Sequence, residues 1–355
     1  MASNHAFRDG GGDYESNSRE IRLGCRARRL VAWVRTIIAA SLPAAVLIFL
    51  AACSQAESTP DRVGVSMGFI PNIQYAPFYV AAEKGYFEEA GLEVDFDYSL
   101  ETDGVTLVGA GDRDFAVVSG EQVLLAREQG LPVVYVLAWY QDYPIAVVAD
   151  SGLGIEAPAD LRGQQIALPG LFGASYVGLR ALLDSAGIPE SDVTLSSIGF
   201  NQVPALASGQ EEIVVGYAGN EPIQLAAQGV DISVLRVADF VELASNGLIT
   251  NEETISTDPD LVRGFVRALL RGLADTIENP GEAFEISKKY VEGLGQTDEA
   301  VQREVLDVSI EFWGADRLGE SDPAAWENMQ QVLLDMGLLQ EPLELSDAFT
   351  NEFLP

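Results

Sequence analysis

Apolar strands alternate with helix-length segments over residues 62–240, the texture breaks at Asp150-Ser-Gly-Leu-Gly154, and helices dominate past about Asn251. Together these predict an α/β protein of two lobes, each a mainly parallel sheet flanked by helices. Residues 62–149 plus about 241–355 form lobe 1 in this reading, with the C-terminal helices packing on it, and residues 150–240 form lobe 2. The chain then crosses between lobes twice, and two crossings make a hinge.

The opening unit is the most explicit. Val63, Val65, Met67 and Phe69 alternate with Gly64, Ser66 and Gly68, the period of a strand, and Pro71-Asn72 turn the chain. From Ala76, the residues Phe78, Val80, Ala81, Phe87 and Ala90 recur at helical spacing up to Gly91, a candidate left-handed cap. Leu92, Val94, Phe96 and Tyr98 restore strand alternation. A β-α-β unit implies a parallel sheet, whose ligands bind beyond the carboxyl ends of the strands. The turn Asn72-Ile-Gln-Tyr75 is therefore either one wall of a site or a simple loop closure.

The rhythm continues with a short helix over 102–111, a strand over 115–119, a helix over 121–129 and strands over 132–140 and 144–149. In the second lobe, strands are predicted over 165–168, 193–198, 213–217 and 232–237, and helices from about 173 to 186, over 202–207 and over 221–227. The helical tail reads as 260–278, 283–291, 299–313 and 324–336.

The N-terminal residues speak to compartment. Arg22, Arg26, Arg28, Arg29 and Arg35 precede an apolar run from Ile37 to Ala52, which is short for a membrane span and contains Pro43. Residues 1–52 thus read as a secretory signal, and Leu50-Ala-Ala-Cys53 resembles a bacterial lipobox with Cys53 as the lipidated residue. Residues 53–61 read as a tether, and the expected location is the outer face of the cell membrane. His5 and Cys25 both fall in this leader, so the mature chain has no histidine and no cysteine but Cys53. Disulfides, Cys/His zinc sites and histidine-dependent nucleophilic machinery are excluded, which leaves little room for an enzyme. No metal or cofactor is expected.

Seven arginines and four acidic residues lie in residues 1–52, leaving 14 basic and 50 acidic residues beyond, a net charge of −36. Such a surface repels nucleic acid. A monomer is expected.

Gly68-Phe-Ile-Pro-Asn72, Tyr79-Val-Ala-Ala-Glu-Lys-Gly-Tyr-Phe87, Asp114-Phe-Ala-Val-Val118, Gln129-Gly-Leu-Pro-Val133 and Asp160-Leu-Arg-Gly163 resemble the periplasmic substrate-binding proteins of ABC transporters, in the branch shared by thiamine-pyrimidine, sulfonate and riboflavin carriers. The segments Asn72–Pro77, Ser119–Ala126 and Val134–Tyr140 look most like riboflavin-binding lipoproteins. The resemblance implies a type II periplasmic-binding-protein fold that captures a ligand between its lobes and delivers it to a permease. Ligand-lining residues of that family, carried to matching strand-end loops, are Asn72, Gln74 and Tyr75, then Ser119 and Glu121, then Trp139 and Tyr140. In the second lobe they are Phe172, Asn201, Tyr217, Asn220 and Glu221.

The residue types at those positions suit a flat, uncharged ligand such as riboflavin, the expected cargo. Aromatic rings stack on such a ligand, and amides both donate and accept hydrogen bonds. About half of the aromatics are expected to be core residues, because buried rings are common in any α/β lobe. A sulfonate or phosphate would need cations, and only Arg113 and Arg162 lie near a loop mouth. Glu121 and Glu221 keep a thiamine-precursor aminopyrimidine open as an alternative cargo. A pyrimidine-synthesising enzyme of the same fold is the distant alternative, one that works through an active-site histidine and a cysteine-rich segment, both lacking in the mature chain.

Overall fold

The computed structural model describes residues 60–296 and 298–355; the leader, Cys53 and the tether as far as Thr59 lie outside the described residues. Among the described residues, ten strands form two five-stranded sheets. The first holds β1 (Asp61–Ser66), β2 (Leu92–Asp97), β3 (Phe115–Val118), β4 (Val133–Ala138) and β10 (Gly247–Asn251), in the order β2-β1-β3-β10-β4. The second holds β5 (Ile145–Asp150), β6 (Gln165–Leu168), β7 (Thr194–Ser197), β8 (Ile213–Tyr217) and β9 (Ile232–Arg236), in the order β7-β6-β8-β5-β9.

The two sheets share one topology. β1 pairs in parallel with β2 and β3, and β6 pairs in parallel with β7 and β8. Each sheet carries one antiparallel strand in its fourth position, β10 between β3 and β4 and β5 between β8 and β9. Both follow directly on a crossing between sheets. A crossing delivers the chain at the carboxyl ends of the parallel strands, so the next strand must run away from that end.

Two expectations are corrected by the structure. Ile145–Asp150, assigned by sequence to lobe 1, belongs to the second sheet, so the first crossing is Trp139–Pro144 rather than the polar stretch at Asp150. β10 itself is a strand that sequence reading passes over, and it lies inside the first sheet rather than beside it. The crossings are tied together: the backbone N–H groups of Trp139 and Tyr140 both donate to the Asn246 carbonyl, at 3.1 and 2.9 Å. Ser245 Oγ donates to the Asp142 carbonyl at 3.1 Å.

Helix positions follow local chemistry. The predicted helix at Ala76–Ala90 is two pieces, Ala76–Glu83 and Tyr86–Glu89, because Gly85 adopts φ 74° between them. Pro259–Glu278 starts at a proline, with Asp258 Oδ1 accepting from the Leu261 N–H at 3.0 Å. Its apolar face packs on the helix Ala76–Glu83, where Gly272 meets the Pro77 carbonyl. Phe265 from this helix stacks on Phe115 of β3 at 4.3 Å. The tail also reaches the second lobe. Glu299–Trp313 contacts the helix Glu221–Ala227, and Pro323–Asp335 packs on both Gly120–Glu128 and Gly173–Ser185. Among the described residues no helix is long and apolar enough to cross a membrane.

Candidate functional site

The carboxyl ends of the parallel strands of both sheets point toward the crossings, together with the start of β10. From the first lobe come the turn after β1, the start of the helix Glu101–Gly109, the β3 end at Ser119 and the β4 end at Trp139-Tyr140. Tyr217, at the end of β8, reaches them from the second lobe.

An aromatic cluster forms the first part of the site. Tyr75 packs on Trp139 with centroids 5.5 Å apart and planes at 27°. Trp139 also meets Phe78, Tyr140 and Trp313, at 5.4, 4.8 and 5.7 Å. Tyr75, Trp139 and Tyr140 are all buried. The sequence offered these rings as ligand platforms, but they pack on one another. A flat ligand gains a face of Trp139 only by parting protein rings. Gln74 Nε2 holds the edge of the cluster, donating to the Tyr140 hydroxyl at 3.1 Å and to Ser309 Oγ at 3.2 Å.

A polar network forms the second part. Ser119 Oγ lies 2.9 Å from Glu101 Oε2 and 2.5 Å from Glu121 Oε1. The Tyr143 hydroxyl lies 3.4 Å from Glu121 Oε2 and 3.1 Å from the Ala174 carbonyl. Asn246 Nδ2 reaches Glu101 Oε1 at 3.5 Å and, across the lobes, the Tyr217 hydroxyl at 3.3 Å. Burial raises both glutamates; for Glu101, burial first and the Glu121 carboxylate second push the carboxyl up to about 8, against hydrogen bonds from Ser119. Asn246 Oδ1 and Trp139 Nε1 are buried polar atoms without a hydrogen-bond partner.

Several expected ligand residues are spent locally. Asn72 caps the turn Ile73–Tyr75, accepting from the Gln74 N–H and donating to the Ile70 carbonyl, both at 2.9 Å. Asn201 is exposed and braces its own loop through the Ile198 carbonyl at 2.8 Å. Glu221 folds back to accept from the Tyr217 N–H at 2.7 Å, and Asn220 donates to Glu221 at 3.2 Å while accepting from Gln224 at 2.7 Å. Glu121 and Ser119 are 0% exposed, so neither offers an open surface to a ligand. Phe172 is 69% exposed, folded over Gly170 at the mouth of the second lobe. Beside the mouth, Phe69 of the first lobe meets Phe200 of the second at 5.1 Å.

Residues that sequence reading missed carry the network. Glu101 lies in the first turn of a helix after β2 just as Glu121 does after β3, and that shared position was the available signal. Asn246 precedes the unrecognised β10. The cations are consumed elsewhere: Arg113 pairs with Asp97 at 2.7 Å, Arg162 with Asp192, and Arg236 lies over the Phe312 ring. The residues gathered here are aromatic and polar, and among the described residues no lysine or arginine bonds to them.

Residues 72–283 match the family described as NMT1/THI5 like. The chain belongs to the NMT1/THI5-like family. Its sequence is 44% identical to riboflavin-binding protein RibY of Chloroflexus aurantiacus over 308 residues, 84% of this chain and 88% of that protein. It is 30% identical to a formylaminopyrimidine-binding protein of Halalkalibacterium halodurans over 322 residues, 86% of this chain and 96% of that one. The periplasmic aliphatic sulphonate binding protein SsuA of Escherichia coli superposes with a TM-score of 0.67 at 12% identity, covering 81% of this chain and 91% of SsuA. This NMT1/THI5-like chain therefore has the two-lobed periplasmic-binding-protein fold, and it is a substrate-binding protein rather than an enzyme.

Proposed function

We propose that the protein is the lipid-anchored, extracytoplasmic substrate-binding component of an ABC importer, capturing riboflavin or a close flavin between its lobes for a permease. The 44% identity to RibY across 84% of the chain carries the ligand reading. The site supports it by its chemistry, since aromatic rings and neutral polar groups suit a flat uncharged ligand. The basic-apolar leader ending at Cys53 supports export and anchoring. Titration of purified protein with riboflavin, read by calorimetry and by quenching of flavin fluorescence, should saturate at micromolar concentration. No binding there removes the flavin assignment. Radiolabelled palmitate should enter the wild type and not Cys53→Ser, and equal labelling of both removes the anchor.

A formylaminopyrimidine is the second reading, favoured by the 30% relative and by Glu101 as a hydrogen-bonding partner for an amino group. Competition between the two ligands ranks them, and tighter binding of the pyrimidine makes it the cargo in place of the flavin.

A further inference from the structure

Between Glu101 and Glu121 stands a single hydroxyl. Ser119 Oγ is within hydrogen-bond distance of a carboxyl oxygen of each, at 2.9 and 2.5 Å, but it has one hydrogen and can donate to one of them only. The other contact is a hydrogen bond only if that glutamate carries a proton and donates it to Ser119 Oγ. The surrounding groups decide which one does. Glu121 has the closer approach of Ser119, its own backbone N–H and the Gln122 amide as donors. Glu101 has only the Ser119 backbone N–H and the distant Asn246 amide. The other titratable groups facing Glu101 are the hydroxyls of Tyr75, Tyr143 and Tyr217, all neutral, and no lysine or arginine is among them.

Exposure separates the pair as well. Glu121 is fully enclosed, whereas Glu101 retains accessible surface. Asn246, whose amide reaches Glu101, keeps its own buried Oδ1 without a partner, which marks this point as one where a further polar group is wanted.

We propose that Glu101 presents the carboxyl group that meets the ligand, and that it does so as the neutral acid, hydrogen-bonded through Ser119 to a charged Glu121 that acts as a positioning residue. The one proton of that acid is the one given to Ser119 Oγ, so what Glu101 offers a ligand is the acceptor Oε1, beside the Asn246 amide. That oxygen accepts from the N–H of a lactam or imide and, being neutral, offers no carboxylate to a cationic amine. The ligand class rests on the flavin reading above; the location of the proton does not.

The test is the pH dependence of riboflavin affinity in wild type, Glu101→Gln and Glu121→Gln. Wild-type affinity should fall about tenfold between about pH 6.5 and pH 9, as loss of the proton breaks the Glu101–Ser119 bond and sets two carboxylates against each other. Glu101→Gln should give a flat profile, and Glu121→Gln should move the wild-type midpoint to lower pH. An affinity that rises with pH, or a Glu121→Gln midpoint left in place, overturns the proposal. Riboflavin failing to bind at every pH strikes the flavin reading alone, and the proton is then read on ligand-free protein. A carboxylic-acid carbonyl band in the infrared difference between wild type and Glu101→Gln at about pH 6.5, lost by about pH 9, sustains the proposal. Its absence overturns it.

Discussion

The strand ends of the first lobe are closed and interlocked, with Tyr75, Trp139 and Tyr140 buried among other rings and Ser119 and Glu121 wholly enclosed. At the strand ends of the second lobe, Phe172 and Phe200 stand 69% and 63% exposed, and Asn201 is held only by its own loop. The topology is the same, and part of the difference is what covers the strand ends, since Trp313 and Ser309 of the C-terminal tail pack on the first lobe's aromatic cluster. One lobe supplies a rigid floor whose geometry exists before a ligand arrives. The other supplies a sparse, open rim that reaches the floor at few points, among them Tyr217 to Asn246 and Phe200 to Phe69.

Substitutions should divide along the same line. Trp139→Ala removes a ring packed on four others and should cost about 3–5 kcal/mol of stability by urea unfolding. A loss below about 1 kcal/mol would show that the floor is not closed in solution. Gly247→Ala should cost about 1–3 kcal/mol, because a Cβ there would fall on the Tyr135 hydroxyl and the Leu137 carbonyl beside the second crossing. Tyr217→Phe deletes one link between the lobes and should cost about 0.5–1.5 kcal/mol, with an increased radius of gyration by small-angle scattering as the sign of opening. Phe172→Ala should leave stability within about 0.5 kcal/mol and weaken only ligand binding, by calorimetry. Equal stability losses from Phe172→Ala and Trp139→Ala would erase the contrast.

Much of the fold was legible in local pattern. The strands at 165–168 and 213–217 and the helices at 202–207 and 221–227 lie where apolar period and turn residues place them. β10 escapes a sequence reading because Leu248 and Ile249 are its only strongly apolar residues, and pairing with β3 and β4 is what makes it a strand. The lobe boundary is hard to place because the true crossing, Trp139–Pro144, is aromatic and largely buried, whereas the polar break at Asp150 sits at the far end of β5. Within the site, Gln74, Tyr75, Trp139, Tyr140, Ser119 and Tyr217 come together at the strand ends as position suggested. Asn72, Asn220 and Glu221 do not join them, because side chains beside a turn satisfy the nearest backbone group first. Glu101, Glu121 and Glu221 each lie in the first turn of a helix after a strand, and only tertiary surroundings distinguish Glu101 and Glu121, which meet at Ser119, from Glu221, which folds back on Tyr217.

The placement of β10 also governs the order in which the molecule can be made. Every strand of the second sheet lies within 145–236, so that sheet has all its parts as soon as this stretch has emerged. The first sheet does not, since its fourth strand is encoded after the whole second lobe. Until residue 251 is available, β3 and β4 each carry an unpaired edge, open to pairing with another chain. The lobe that begins the sequence is therefore the last to close.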